Sequence, residues 1–191
     1  FDKKLWKATP KATERGPSLE LELVSPDGDE GYPGRLVAKV VYTLTPAGEF
    51  IVEMAAATDA ATIVNLVHHS YWNLAGQASG SIKDHELVVQ ADRYLPVDAT
   101  SIPTGAFAPV EGTGFDFRPE RKPPAQCLHA TETLPPNAPP GTPRGVDHAY
   151  AIRDWRPDGE LRRAAVLRDP RSGRTLEILT DQPSIQVYMA N

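Results

Sequence analysis

Apolar and polar residues alternate along much of this chain. Leu19, Leu21 and Leu23 are separated by Glu20 and Glu22, the period of two that turns one face of a strand inward and the other outward. Leu36, Ala38, Val40, Tyr42 and Leu44 repeat the pattern against Arg35, Lys39 and Thr43. Phe50, Val52, Met54 and Ala56 repeat it again against Glu49 and Glu53. Between these runs, residues 25–34 mix fixed-φ prolines with permissive glycines, and Pro46-Ala47-Gly48 makes a short reversal. Three antiparallel strands in a meander are predicted.

Further strands are expected over Glu86–Ala91, Asp147–Trp155, Leu161–Leu167, Arg174–Thr180 and Ile185–Met189. Arg156-Pro157-Asp158-Gly159 reads as a hairpin turn, and Asp169-Pro170-Arg171-Ser172-Gly173 as the turn before the next strand. In the last strand Gln186 and Tyr188 share a face. Proline punctuates Tyr94–Asp98 and Ile102–Gly105, which predicts edge or irregular extended chain. It is densest over Pro119–Pro143, so residues 119–145 are expected to form one long loop. No window sustains apolar spacing at three and four residues, so no helix is predicted. An all-β antiparallel β-sandwich, in one domain over residues 1–191, is the economical architecture.

Composition narrows the partners. The 191 residues suffice for one substantial core. A net charge of -5 with scattered Lys and Arg argues against an electrostatic grip on nucleic acid or an anionic membrane, which leaves a small neutral partner. The single cysteine, Cys127, excludes an internal disulfide and a cysteine zinc cluster. No apolar run approaches the roughly 18 residues of a membrane span, and no leader-like segment is seen. The chain starts on Phe1 and stops within a strand-like run at Asn191, which reads as the interior of a longer domain.

The densest chemistry lies in Val64-Asn65-Leu66-Val67-His68-His69-Ser70-Tyr71-Trp72-Asn73-Leu74-Ala75-Gly76. If this stretch is a strand, His68 and His69 point to opposite sides. An imidazole titrates near neutral pH and serves as general acid or base; a histidine satisfied by a backbone carbonyl is the plainer alternative. Asp147-His148 with His68 or His69 supplies metal-ligand types, but at no recognised zinc spacing. Ser70 lacks the glycine-flanked elbow of a nucleophile. Asp147 enters a strand from the proline-rich loop, either capping a turn or accepting hydrogen bonds from substrate hydroxyls. Gln186 is either a surface amide or part of a pocket wall. Trp72, Trp155 and Phe115 are suited to stacking on a sugar ring, although aromatic residues in a β-sandwich are more often core. Asp116 and Arg118 are expected to form a structural ion pair.

Eight short motifs in one order carry a resemblance. They are Ser25–Gly28 with Gly31–Gly34; Asn65–Gly76; Ala91–Asp98; Ile102–Gly105; Gly112-Thr113 with Phe115–Arg118; Gly145–His148; Asp169-Pro170 with Ser172–Arg174; and Gln186–Tyr188. On these the chain resembles the aldose 1-epimerases, or mutarotases, nearly end to end. The resemblance implies a large antiparallel galactose mutarotase-like supersandwich, here truncated at both ends. It also implies cofactor-free interconversion of the α and β anomers of a free aldohexose, in a cytoplasmic enzyme.

It places the family's general acid on His69, its hydroxyl-binding aspartate on Asp147 and its pocket glutamine on Gln186. His68 stands where relatives often carry Asn. The family's general-base glutamate is expected beyond Asn191, and its Arg-containing and His-Gly-Gly sugar-binding motifs before Phe1. Neither Glu177 nor Glu111 sits in a motif that fits the base. The rival expectations are a non-catalytic sugar-binding β-sandwich of the same fold and a hexose-6-phosphate 1-epimerase, which would need a basic cluster at its site.

Overall fold

The computed structural model describes residues 1–82, 84–98, 100–118 and 146–189. The proline-rich stretch 119–145, with Cys127, lies outside them. The chain forms two compact units, residues 1–71 and 72–191.

The first unit is a four-stranded antiparallel sheet in the order β1 (Lys7–Thr13), β2 (Gly16–Ser25), β3 (Leu36–Leu44) and β4 (Phe50–Thr58). The meander predicted from alternation is β2, β3 and β4. Its register aligns Leu21 with Val40 and Met54, and Leu23 with Ala38 and Ala56, so the apolar residues share one face. The opposite face carries ion pairs, Lys11 to Glu20 at 2.6 Å and Lys39 to Glu22 at 3.2 Å. Strand β1 was not anticipated. It is an exposed edge strand of Lys, Ala, Thr and Pro residues, with no large apolar side chain to mark its period, and Pro10 is tolerated because an edge leaves one row of N–H groups unused. At the β1–β2 turn, Gly16 has φ +135° and its α-carbon faces the Leu44 carbonyl at the end of β3, leaving no room for a side chain.

The second unit packs two antiparallel sheets around one core. One sheet is β10 (Thr175–Thr180), β9 (Arg162–Arg168) and β5 (Glu86–Val89). The other is β11 (Ser184–Tyr188), β8 (Asp147–Ala151), β6 (Arg93–Tyr94) and β7 (Ala108–Pro109). Val89 and Ala165 from the first sheet meet Tyr150 from the second, with Ala91, Val110, Phe115, Phe117 and Val146 from the flanking segments. This is the predicted sandwich packing. Phe115 therefore belongs to the core. Asp116, 2% exposed, accepts from Nε and one terminal nitrogen of the Arg118 guanidinium, each at 2.9 Å, the expected ion pair.

Two expectations are corrected. Arg156–Gly159 does not close a hairpin between neighbours, because β8 and β9 lie in different sheets. After β8 the chain crosses from one sheet to the other: the Ile152 N–H donates to the Pro183 carbonyl and the Arg153 N–H to the Gln90 carbonyl. Asp158 instead ties the turn to the start of β9, accepting from the Glu160 N–H and from Arg162. The second correction is the histidine stretch, which is not a strand; residues 59–82 contain none. Only the 3-10 turn Asp29–Gly31 is helical among the described residues, and none of their helices is long and apolar enough to cross a membrane.

Candidate active site

Alternation along β8 sorts its residues. Asp147, Ala149 and Ala151 face outward, while His148 and Tyr150 face the core. On the neighbouring β11, Ser184, Gln186 and Tyr188 face outward while Ile185 and Val187 turn inward. The register pairs Tyr188 with Asp147 and Gln186 with Ala149, so Gln186 and Asp147 are diagonal neighbours on one exposed face. Gln186 Nε2 donates to Asp147 Oδ1 at 2.7 Å. Two residues 39 positions apart in sequence thus meet at hydrogen-bonding distance, with the alanines beside them as a flat floor. Arg93 pairs with Ala151 on the same face. Its placement follows only from the strand register, which the two-residue strand β6 gives no periodicity to predict.

His148 lies beneath this face. Its ring is half-buried, with centroids 4.4 Å from Phe115 and 5.6 Å from Tyr94. Its Nδ1 accepts the Asp147 backbone N–H at 3.2 Å. Desolvation pushes its pKa below the ordinary imidazole value, against a smaller opposing pull from the Asp147 charge. Asp147 and His148 therefore present their side chains to opposite sides of the sheet and do not form a ligand pair.

His69 stands in the first unit, on extended chain outside any sheet. Its ring is exposed, with its centroid 5.2 Å from that of Tyr71. His68 is the half-buried member of the pair. Its ring packs against the stacked rings of Tyr42 and Phe50, with centroids at 5.5 and 5.6 Å. So His68 anchors the stretch on the apolar face of the sheet while the adjacent imidazole stays in solvent. Ser70 Oγ lies 3.1 Å from Nε2 of His68, not from His69.

Of the two tryptophans, Trp155 donates from Nε1 to the Asp181 carbonyl at 2.7 Å, while Trp72 is 42% exposed. Glu177 pairs with Arg163 and Glu111 with Arg118. Sequence reasoning passed over His85, Ser172 and Arg174, all of which hold the backbone of Leu74 just beyond the histidine stretch. Ser172 and Arg174 were visible only as residues of a turn motif, and His85 as a lone histidine before a strand.

The comparisons agree with this fold. The chain is 44% identical to human galactose mutarotase over 191 residues, covering all of this chain and 50% of that protein. It is 33% identical to Escherichia coli aldose 1-epimerase, with all of this chain aligned to 51% of the relative. The chain thus spans about half the length of the relatives it matches. The crystal structure of a Caenorhabditis elegans aldose epimerase homologue superposes with a TM-score of 0.75 at 29% identity, over 95% of this chain and 50% of the other. Galactose 1-epimerase from Lactobacillus acidophilus gives 0.69 at 30% identity, over 87% and 45%. The family model for aldose 1-epimerase matches residues 1–191 in full, and the chain belongs to that family.

Proposed function

We propose that this chain is the central part of a cytoplasmic aldose 1-epimerase that interconverts the α and β anomers of a free hexose of the glucose or galactose type, without a cofactor. Residues 1–191 are then part of one mutarotase domain. The observation that carries the proposal is the contact between Gln186 and Asp147 on an exposed sheet face. These are the two residues that the resemblance selects for sugar hydroxyls.

In this scheme a base takes the proton from O1 while His69, as the imidazolium, protonates the ring oxygen. The ring opens to the aldehyde, C1 rotates about the C1–C2 bond, and reclosure from the other face returns both protons. Positioned proton transfer of this kind contributes roughly 10²- to 10⁴-fold. Asp147 and Gln186 hold hydroxyls so that the rotation takes place on a fixed sugar. The base is a glutamate outside the 191 residues. The exposure of His69 and the partnering of Glu177 and Glu111 with arginines agree with this division of labour.

A phosphorylated hexose is less well supported, because among the described residues the exposed face of β6, β8 and β11 carries one cation, Arg93. The test follows the optical rotation of fresh α-D-glucose, α-D-galactose and α-D-glucose 6-phosphate with the full-length protein. Acceleration of the free sugars supports the proposal. Preference for the phosphate ester supports the phosphohexose enzyme. Sugar binding by calorimetry without acceleration supports the binding module.

A further inference from the structure

Asp92 and Arg93 are neighbours in sequence, yet they do not neutralise each other. Asp92 accepts from Nε and a terminal nitrogen of Arg153 at 3.0 and 2.6 Å, and that contact holds its carboxyl below the usual carboxylate range. Arg93 is exposed, and no carboxylate among the described residues pairs with it. The other strand arginines of the second unit differ: Arg162 pairs with Asp158, Arg163 with Glu177 and Arg168 with Glu86. The Arg93 guanidinium thus keeps its charge and its fork of donors open.

Its place on the sheet gives that charge a direction. Arg93 pairs with Ala151, and Gln186 with Ala149, so the two side chains stand two strands and two residues apart on one face, about 12 Å between α-carbons from strand spacing and rise. Asp147, one strand over and four residues along from Ala151, is about 14 Å from Arg93 by the same geometry. Tyr94 stacks on Phe115 in the core, so alternation puts Leu95 on the outer face with Arg93. The Leu95 N–H donates to the Ala149 carbonyl at 2.9 Å, which brings Leu95 beside the two alanines. All three are half-buried and carry no polar side-chain atom. The face therefore has a hydrogen-bonding pair at one end, an unpaired guanidinium at the other, and an apolar floor between them with room for a pyranose ring.

A single guanidinium across such a gap suits one planar anion. It meets a carboxylate edge to edge through two parallel hydrogen bonds, whereas a phosphate dianion calls for further cations, and the face supplies an aspartate instead. We propose that Arg93 reads a carboxylate at C6 of the sugar, so that the enzyme accepts aldohexuronates of the galacturonate type alongside neutral aldohexoses. This rests on the epimerase function proposed above. The C6 carboxylate takes no part in ring opening, so Arg93 acts on selectivity through binding and leaves the proton transfers to other groups.

The test measures kcat/KM by polarimetry for fresh α-D-galacturonate, α-D-galactose and α-D-galactose 6-phosphate, using the full-length protein and its Arg93→Ala and Arg93→Gln variants. The wild type is expected to accelerate galacturonate anomerisation. Each variant should lower the galacturonate-to-galactose ratio of kcat/KM by about 10- to 100-fold, the loss of hydrogen bonds to a charged group. An unchanged ratio in folded Arg93→Ala overturns the proposal. So does a wild type that accelerates galactose but not galacturonate, or one that prefers the phosphate ester to galacturonate. If Arg93→Ala does not fold, Arg93→Gln carries the test with the same outcomes. A wild type inert toward all three sugars would overturn the epimerase proposal and this one together.

Discussion

Gln186 donates its side-chain amide to the carboxylate of Asp147 across β11 and β8, Nε2 to Oδ1, at 2.7 Å. The bond fixes which end of the amide faces the carboxylate, and so leaves the Gln186 carbonyl oxygen as an acceptor for a hydroxyl. The two residues should then act as one unit. Asp147→Ala and Gln186→Leu are each expected to lower kcat/KM by about 10- to 100-fold. The double variant should fall short of the product of the two, with a coupling of about 0.5–3 kcal/mol. A double-mutant cycle on sugar turnover measures this, and strict additivity would separate the residues.

His148 gives a pH dependence of stability. Its folded pKa lies below the ordinary value of 6.5, chiefly through desolvation against Phe115 and Tyr94. The unfolded chain therefore binds the proton first, and stability is full above about pH 6.5 and declines as pH falls toward the folded pKa. Denaturant titrations between pH 8 and 5 should show the decline, and His148→Phe should flatten it. An unchanged pH slope in His148→Phe would remove His148 as the cause.

Gly16→Ala should destabilise the first unit by about 1–3 kcal/mol. The new Cβ would run into the Leu44 carbonyl at a φ that alanine rarely adopts. At Gly48 a Cβ would meet nothing within 4 Å, so Gly48→Asn should cost well under 1 kcal/mol. Thermal melts of the two variants make the comparison.

His68 is assigned to packing, not chemistry. Replacing it with alanine removes the ring from Tyr42 and Phe50 and should cost about 0.5–1.5 kcal/mol, with kcat within about threefold of wild type. Loss of turnover in a variant of unchanged stability would return His68 to the site.

The strands of the meander were legible because their apolar residues are large and strictly alternating, and β11 because Gln186 and Tyr188 alternate with Ile185 and Val187. Strand β1 was not, since Lys7, Thr9, Lys11 and Thr13 alternate only with Ala8, Pro10 and Ala12, which supply no large apolar side chain. Pairing was harder still: Arg156–Gly159 has turn chemistry, but which sheet receives the next strand is decided by core packing that no local signal reports. The histidine stretch shows the same limit. Its composition favours extended chain, yet no neighbouring strand pairs with it, and the half-buried position of His68 comes from Tyr42 and Phe50 on the sheet. The resemblance gave Asp147 and Gln186 their roles one by one, but the contact between them was not legible, because the register that joins β8 to β11 is a tertiary property. The contacts of His85, Ser172 and Arg174 with the Leu74 backbone were invisible for the same reason.

The most direct measurement compares anomerisation of fresh α-D-galactose by the full-length protein and its His69→Gln variant, by polarimetry at neutral pH. A general acid at His69 predicts a loss of roughly 10²- to 10⁴-fold in kcat, with the fold intact by circular dichroism. Equal turnover by the two proteins would contradict the assignment of His69 as the acid.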